Sequence, residues 1–238
     1  MANTPDGWGK DELTAFFDVV RTNHFSFAER RNGFARFQDI DAGFRKVINE
    51  ALHHSKEWFT GFFVLRAHSA FLAACSCASA GQVVEAYALN RVVLEQALYG
   101  LFLSRHPEWR ETWLNRHQDD ASMKEVKRVF KISDMVRELR GLDENDAEVA
   151  ERLYQRAIDF GAHPNERALM QGIEEQAAGT DVRFEVSYLF PDGDALEACR
   201  KTTTQTGVCA LSMWRPLMRE RYDILDITGL LDHLKKDI

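Results

Sequence analysis

Proline, glycine-rich loops and pairable cysteines are all scarce in this sequence, and each shortage removes a class of protein. Only five prolines occur in 238 residues, with none between Pro5 and Pro107. Proline lacks an amide hydrogen and clashes with the preceding helical turn, so a stretch this long without it leaves room for long helices. The four cysteines, Cys75, Cys77, Cys199 and Cys209, fall inside helical patterns. Cys75 and Cys77 are two apart, which on a helix points them to nearly opposite sides, so they make poor joint metal ligands and read as packing residues. A disulfide framework is not expected, and the chain reads as a cytoplasmic protein.

Absent motifs exclude more. There is no glycine-rich phosphate loop, no Gly-x-Ser-x-Gly elbow, no His-Glu-x-x-His pair and no zinc-type cysteine spacing, so those NTPase, hydrolase and zinc-enzyme classes lose their signatures. No basic region followed by an apolar stretch occurs in "MANTPDGWGKDEL", and a secretory signal is not expected. An excess of positive charge is also missing. The formal net charge of -7 argues against a generally basic, nucleic-acid-coating surface while leaving room for a local cationic groove.

What is present is helical periodicity. Apolar residues make up 45% and charged residues 28% of the chain, the balance of an ordinary globular fold. From Asp41, the residues Phe44, Val47, Ile48, Ala51, Leu52 and Ser55 recur at three and four, predicting an amphipathic helix to about Glu57. Residues 59–80 are apolar nearly all round and approach membrane-spanning length. Arg66 and His68 in the middle favour a helix buried at a bundle centre, because charge is expensive in lipid. Gly81 breaks the pattern, and a second central helix runs to about Arg105.

Further on, "PEWRETWLNRH" reads as a short helix whose Trp109 and Trp113, with Arg110 and Arg116 beside them, either pack under the bundle or stack on bases or on a partner. "SMKEVKRVFKISDMVRELRGL" reads as one longer helix stopped by Gly141. "DENDAEVAERLYQRAIDF" adds another, with an acidic first turn that suits the helix dipole. A short helix is expected over Glu166–Gln176. The period then changes: Val182, Phe184, Val186 and Tyr188 alternate with Arg183, Glu185 and Ser187, which is a strand pattern. Its backbone groups need a partner, either another extended segment or a second protomer. A long helix over Asp194–Tyr222, bent by Pro216, and a last one over Ile227–Lys236 complete the reading. The expectation is an all-α bundle of about eight helices with one minor strand element near residues 182–190. It forms one domain over residues 11–238, behind a loose arm of residues 1–10.

Two constellations carry candidate chemistry. Arg91 and Glu95 are four apart on one face of the second central helix, within a stripe of Val84, Ala88, Leu98 and Phe102. Charges in such a stripe must be paired. The pair reads either as a buried ion pair fixing helix register, with Arg66 as a third member, or as the wall of a polar pocket. The second constellation is "RAIDFGAHPNERAL". Arg156 and His163 are seven apart, hence on one face if the helix continues, where arginine holds a phosphate and histidine moves a proton. The alternative is a helix end capped by Gly161, with His163 at the negative dipole end and Pro164-Asn165 opening the next element. A single Glu-x-x-His, Glu50 with His53, has the spacing of di-iron carboxylate proteins but lacks the second copy they need.

An Arg-x6-His motif late in a helical domain resembles the HEPN superfamily, whose nucleases carry Arg-x4-6-His on a helical bundle. That resemblance implies a homodimer that brings the motif together and cuts RNA without metal. Arg156 would stabilise the phosphate and His163 would assist attack by the 2'-hydroxyl. Ala157 departs from the pattern, since active members usually carry a polar residue there. "RVVLEQALYGLFL" followed by "AHPNE" is also similar to a poorly characterised bacterial helical family of unknown function, over about residues 40–225.

The leading expectation is a binding module with a polar pocket near Arg91, Glu95 and His163, where Arg66 and Asn165 also bind and the small-molecule ligand is unknown. The alternative is a HEPN-like, metal-independent ribonuclease of a defence or toxin system with Arg156 and His163 as catalytic residues. A metal enzyme is the remote third. No cofactor and no membrane partner are expected.

Overall fold

The computed structural model describes residues 4–55, 58–162, 164, 166–178 and 181–236. Helix α1 (Glu12–Glu29) begins at Asp11, whose carboxylate accepts the Thr14 amide at 2.9 Å and so satisfies an orphan N–H of the first turn. Ahead of it, the Trp8 indole Nε1 donates to Asp18 at 2.7 Å, and its ring stacks on Phe17. Helix α2 (Arg31–Lys46) then runs without a break into a π-turn, Val47–Ala51, and buries Phe37, Ile40, Phe44 and Val47.

Helices α3 (Trp58–Ala80) and α4 (Val83–Arg105) are the two central helices that the apolar runs predict, and they lie against each other. One face of α3, with Phe63, Val64, Ala67, Phe71 and Ala74, is buried, while Phe62, Leu65 and Leu72 are exposed. Gly81 makes the turn between them at φ +92°, a conformation that L side chains resist. The space a Cβ would take there is filled by the backbone of Phe190, whose amide donates to the Gly81 carbonyl at 2.8 Å.

A 3-10 turn (Pro107–Trp109) leads into α5 (Arg110–Leu114). Trp113 packs on Phe63 at 5.3 Å, and the Arg110 guanidinium lies 5.1 Å over the Phe59 ring. The two tryptophans of this stretch thus pack, half-buried, against the core. The single helix expected next is two: α6 (Asp120–Val129) and α7 (Ile132–Arg140). No proline or glycine marks the break. Phe130 leaves the helix to stack on Tyr99 at 5.6 Å and to meet Phe102 edge-on, so burial of one aromatic ring ends α6.

Helix α8 (Glu144–Ala157), capped by Asp143, continues as a second π-turn over Ile158–Ala162. Gly161 is therefore no C-cap. An added Cβ would fall 2.3 Å from the Val84 carbonyl and 2.7 Å from the Tyr87 Cβ, so glycine is there to let the turn lie directly on α4.

Helix α9 (Glu166–Met170) is shorter than expected, because strand β1 (Ile173–Ala178) occupies the rest of the segment read as helix. β1 pairs antiparallel with β2 (Asp181–Val186), Ile173 opposite Val186 and Ala178 opposite Asp181. The strand element expected near 182–190 is thus a two-stranded hairpin that ends at Val186.

Helix α10 (Asp194–Trp214) is the third central helix, packed on α3, α4 and α8. Three of its four threonines satisfy themselves: Thr202, Thr203 and Thr204 each donate to the carbonyl four residues earlier. Pro216 ends the helix in a 3-10 turn rather than bending it. Then α11 (Arg219–Ile224) and α12 (Ile227–Lys236) close the chain, the last with the bounds that its periodicity predicts. The fold is all-α with one small hairpin. Twelve α-helices are defined among the described residues, against the eight expected.

Candidate functional site

The sequence brings forward six residues, and the structure separates them. Arg91 and Glu95 do pair, Nε to Oε1 at 2.8 Å, but their side chains keep 25% and 29% of their exposure. A third residue completes the cluster. The Tyr154 hydroxyl donates to the same Glu95 oxygen at 2.9 Å, and the Arg91 guanidinium sits 5.4 Å over the Tyr154 ring. Burial, then the Glu95 carboxylate, pushes the Tyr154 phenol up to about 12. This half-buried knot pins α4 to α8. Arg66 is exposed on α3. His163 and Asn165 lie outside the described residues. The deeply buried cation is instead Arg200, which bonds Glu197 at 2.6 Å and Asp192 at 3.3 Å and lies 4.3 Å over the Phe27 ring.

Arg156 stands elsewhere, on the wall of a cleft. Tyr154 and Arg156 are two positions apart, so they project from opposite flanks of α8. A cleft of about 660 Å³ opens on the Arg156 side, between α8, its π-turn and α10. Arg152 and Arg156 line it from successive turns of α8, and Lys201 and Gln205 from successive turns of α10. Gln171, from the turn after α9, closes one end. Tyr87 and Phe160 form an apolar wall, their ring centroids 5.5 Å apart.

The electrostatics are one-sided. Three cations line the cleft, and no carboxylate does among its described lining residues, on a chain of net charge -7. Arg156 is oriented by its Nη1 donating to the Thr202 hydroxyl at 3.2 Å. Burial raises the Tyr87 phenol, against the pull of its hydrogen bond with Thr202 and of the nearby Arg156 charge. A neighbouring cavity of about 320 Å³ shares Arg152 and Gln205 and extends the groove toward Asp146, whose carboxylate is already neutralised by Lys235 at 2.9 Å. The cleft is cationic, and none of its described lining residues sets a nucleophile beside a base.

Among these residues, sequence reasoning reached Arg156 and missed Arg152, Lys201, Gln171, Gln205, Tyr87 and Phe160. Two of the four-residue spacings, Arg152 to Arg156 and Lys201 to Gln205, are visible in the sequence. Their meeting across two helices is not. The di-iron-like spacing of Glu50 and His53 falls on the π-turn and just after it, with both side chains exposed. Among the described residues no group of three or more His, Cys, Asp or Glu side chains is placed to hold a metal ion. The thiols are no better suited to chemistry: burial pushes Cys75, Cys199 and Cys209 up, Cys199 to about 12. No protein family, no curated protein and no solved structure matches this chain.

Proposed function

We propose that this chain is a binding protein whose cleft between α8 and α10 takes a phosphorylated small molecule bearing a flat ring. The observation that carries the reading is the clustering of Arg152, Arg156 and Lys201 around one concavity without a lining carboxylate. Like charges so gathered repel one another, and an anion in the cleft turns that repulsion into attraction. Arginine is suited to phosphate because its planar fork matches two oxygens at once. The Tyr87 and Phe160 rings offer the flat apolar surface on which a base stacks. This reading sets the pocket on the flank of α8 away from the Arg91–Glu95 pair.

Calorimetric titration with ATP, pyrophosphate and adenosine tests this. ATP is expected to bind, pyrophosphate more weakly, and adenosine hardly at all, with affinity falling as salt screens the cations. Arg156→Ala and Lys201→Ala should each weaken ATP by about tenfold, the loss of one charge-assisted hydrogen bond. Absence of heat and of any melting shift with all three ligands at millimolar concentration overturns the proposal.

A second reading keeps the HEPN-like ribonuclease, with Arg156 as its phosphate-stabilising cation. One observation favours it: helical structure continues from Arg156 through Ala162, uninterrupted by Gly161. Incubation with RNA in chelator, alongside Arg156→Ala and His163→Ala, decides it. Cleavage lost in both variants supports the nuclease, and an inactive wild type removes it.

A further inference from the structure

The β1–β2 hairpin leaves one edge and one face uncovered. Phe184 and Val186 alternate along β2 and share a face, and they and Tyr188, just past its end, keep 64%, 48% and 75% of their exposure. Two strands in isolation are marginal in water, because one ladder seldom offsets the entropy of ordering them. Arg183 and Glu185, which flank Phe184, are exposed as well.

The direction of the backbone groups can be read from one bond. The Ser187 amide donates to the Gly172 carbonyl at 2.7 Å, in line with the register that sets Ile173 opposite Val186. Ser187 is thus in a hydrogen-bonded pair with β1, and by strict alternation so are Glu185 and Arg183. The N–H and C=O groups of Phe184 and Val186 consequently point away from β1, toward the open edge.

We propose that this edge pairs antiparallel with the same strand of a second copy of the chain, about a two-fold axis at Phe184. A two-fold axis there sets Phe184 opposite its own copy as a hydrogen-bonded pair, matching the outward direction of its backbone. The same register sets Arg183 opposite the second copy's Glu185, and Glu185 opposite its Arg183. Both fall in non-hydrogen-bonded pairs, where side chains lie closest. Opposite charges meet twice, and five residues of the strand overlap, against three for the axis at Val182 that would set Asp181 opposite Arg183. Self-complementarity of this kind is what a closed two-fold interface requires. A second copy is therefore the occupant that the edge fits.

The three apolar side chains expose on the order of 350 Å² per protomer, about half of the ~800 Å² per partner of a standard interface. The dimer is accordingly concentration-dependent rather than obligate. It is independent of the cleft, whose lining does not include β2.

Sedimentation equilibrium of the full chain across micromolar concentrations reads the association. Wild type should move from 27.3 kDa toward twice that mass as concentration rises. Arg183→Glu makes both symmetry-related pairs repulsive and should weaken association by about tenfold or more. The double exchange Arg183→Glu with Glu185→Arg restores opposite charges and should restore the dimer. Within the hairpin these two positions oppose Gln176 and Glu174. A wild type that stays monomeric, an Arg183→Glu protein that associates as wild type does, or a double exchange that fails to recover overturns the proposal.

Discussion

Replacing Gly161 with alanine should destabilise this protein, against the usual sign of such a change. In a helix interior alanine is favoured over glycine by about 1 kcal/mol, because glycine has more backbone freedom to lose. Here the added Cβ would stand 2.3 Å from the Val84 carbonyl oxygen, 2.7 Å from the Tyr87 Cβ and 3.0 Å from the Ala88 amide nitrogen. Two of the three are main-chain atoms of α4, so no rotamer change relieves the contact. The π-turn would have to retreat by about an ångström, and such overpacking typically costs ~1–3 kcal/mol or more. A net loss of about 2 kcal/mol corresponds, for a chain of this size, to a melting temperature lower by roughly 4–8 °C.

Gly141→Ala is the control. Gly141 has ordinary right-handed helical angles, φ -67° and ψ -15°, and its added Cβ meets only the Glu138 carbonyl at 3.4 Å. Its melting temperature should stay level or rise. Thermal unfolding monitored by far-ultraviolet circular dichroism gives both numbers. If Gly161→Ala melts at or above wild type, the close approach of α8 to α4 is refuted. The wall that Tyr87 and Phe160 give the cleft falls with it.

Three other outcomes can be measured on the same protein. Glu95→Gln should lower the melting temperature by no more than about 4 °C, since the pair is part-exposed and glutamine still accepts from Arg91 and Tyr154. Tyr154 is held neutral, its folded pKa near 12 against an ordinary 10.0. Its contribution is therefore complete below pH 10 and lost as pH rises through 12, and in alkaline melting series Tyr154→Phe should remove that part of the decline. Thr206 is buried, and its hydroxyl has no partner among the described residues. Thr206→Val, which removes that hydroxyl, should hold or raise the melting temperature, and a drop of several degrees would mean that the hydroxyl is satisfied.

The parts of the fold legible in the sequence are those where one face decides the structure. The all-apolar α3 and the amphipathic α12 emerge nearly to the residue, because burial along an unbroken 3.6 period needs no knowledge of the partner. Elsewhere the partner decides. "IEEQAA" favours helix by composition and is a strand because β2 pairs with it. The break at Phe130 is set by Tyr99 and Phe102, from an earlier helix. Neither π-turn leaves a signature, and each shifts the angular register of the residues after it, so spacing rules drawn on a regular helix fail beyond Ile158. The Arg91–Glu95 pair shows the same limit from another side. Its spacing is read correctly, while its exposure depends on how α8 covers it. The cleft is least legible, because its cations come from helices far apart in sequence.

The hairpin is closed at its base by the bond from Ser187 to Gly172, and the chain rejoins the bundle where the Phe190 amide donates to the Gly81 carbonyl. A loop whose ends are tied together contributes little to the core, and its length costs the fold only logarithmically. The hairpin can thus be exchanged for another sequence between Gly172 and Ser187 while the helices stay as they are. Descendants of one such bundle can therefore differ in how they assemble while keeping the same cleft.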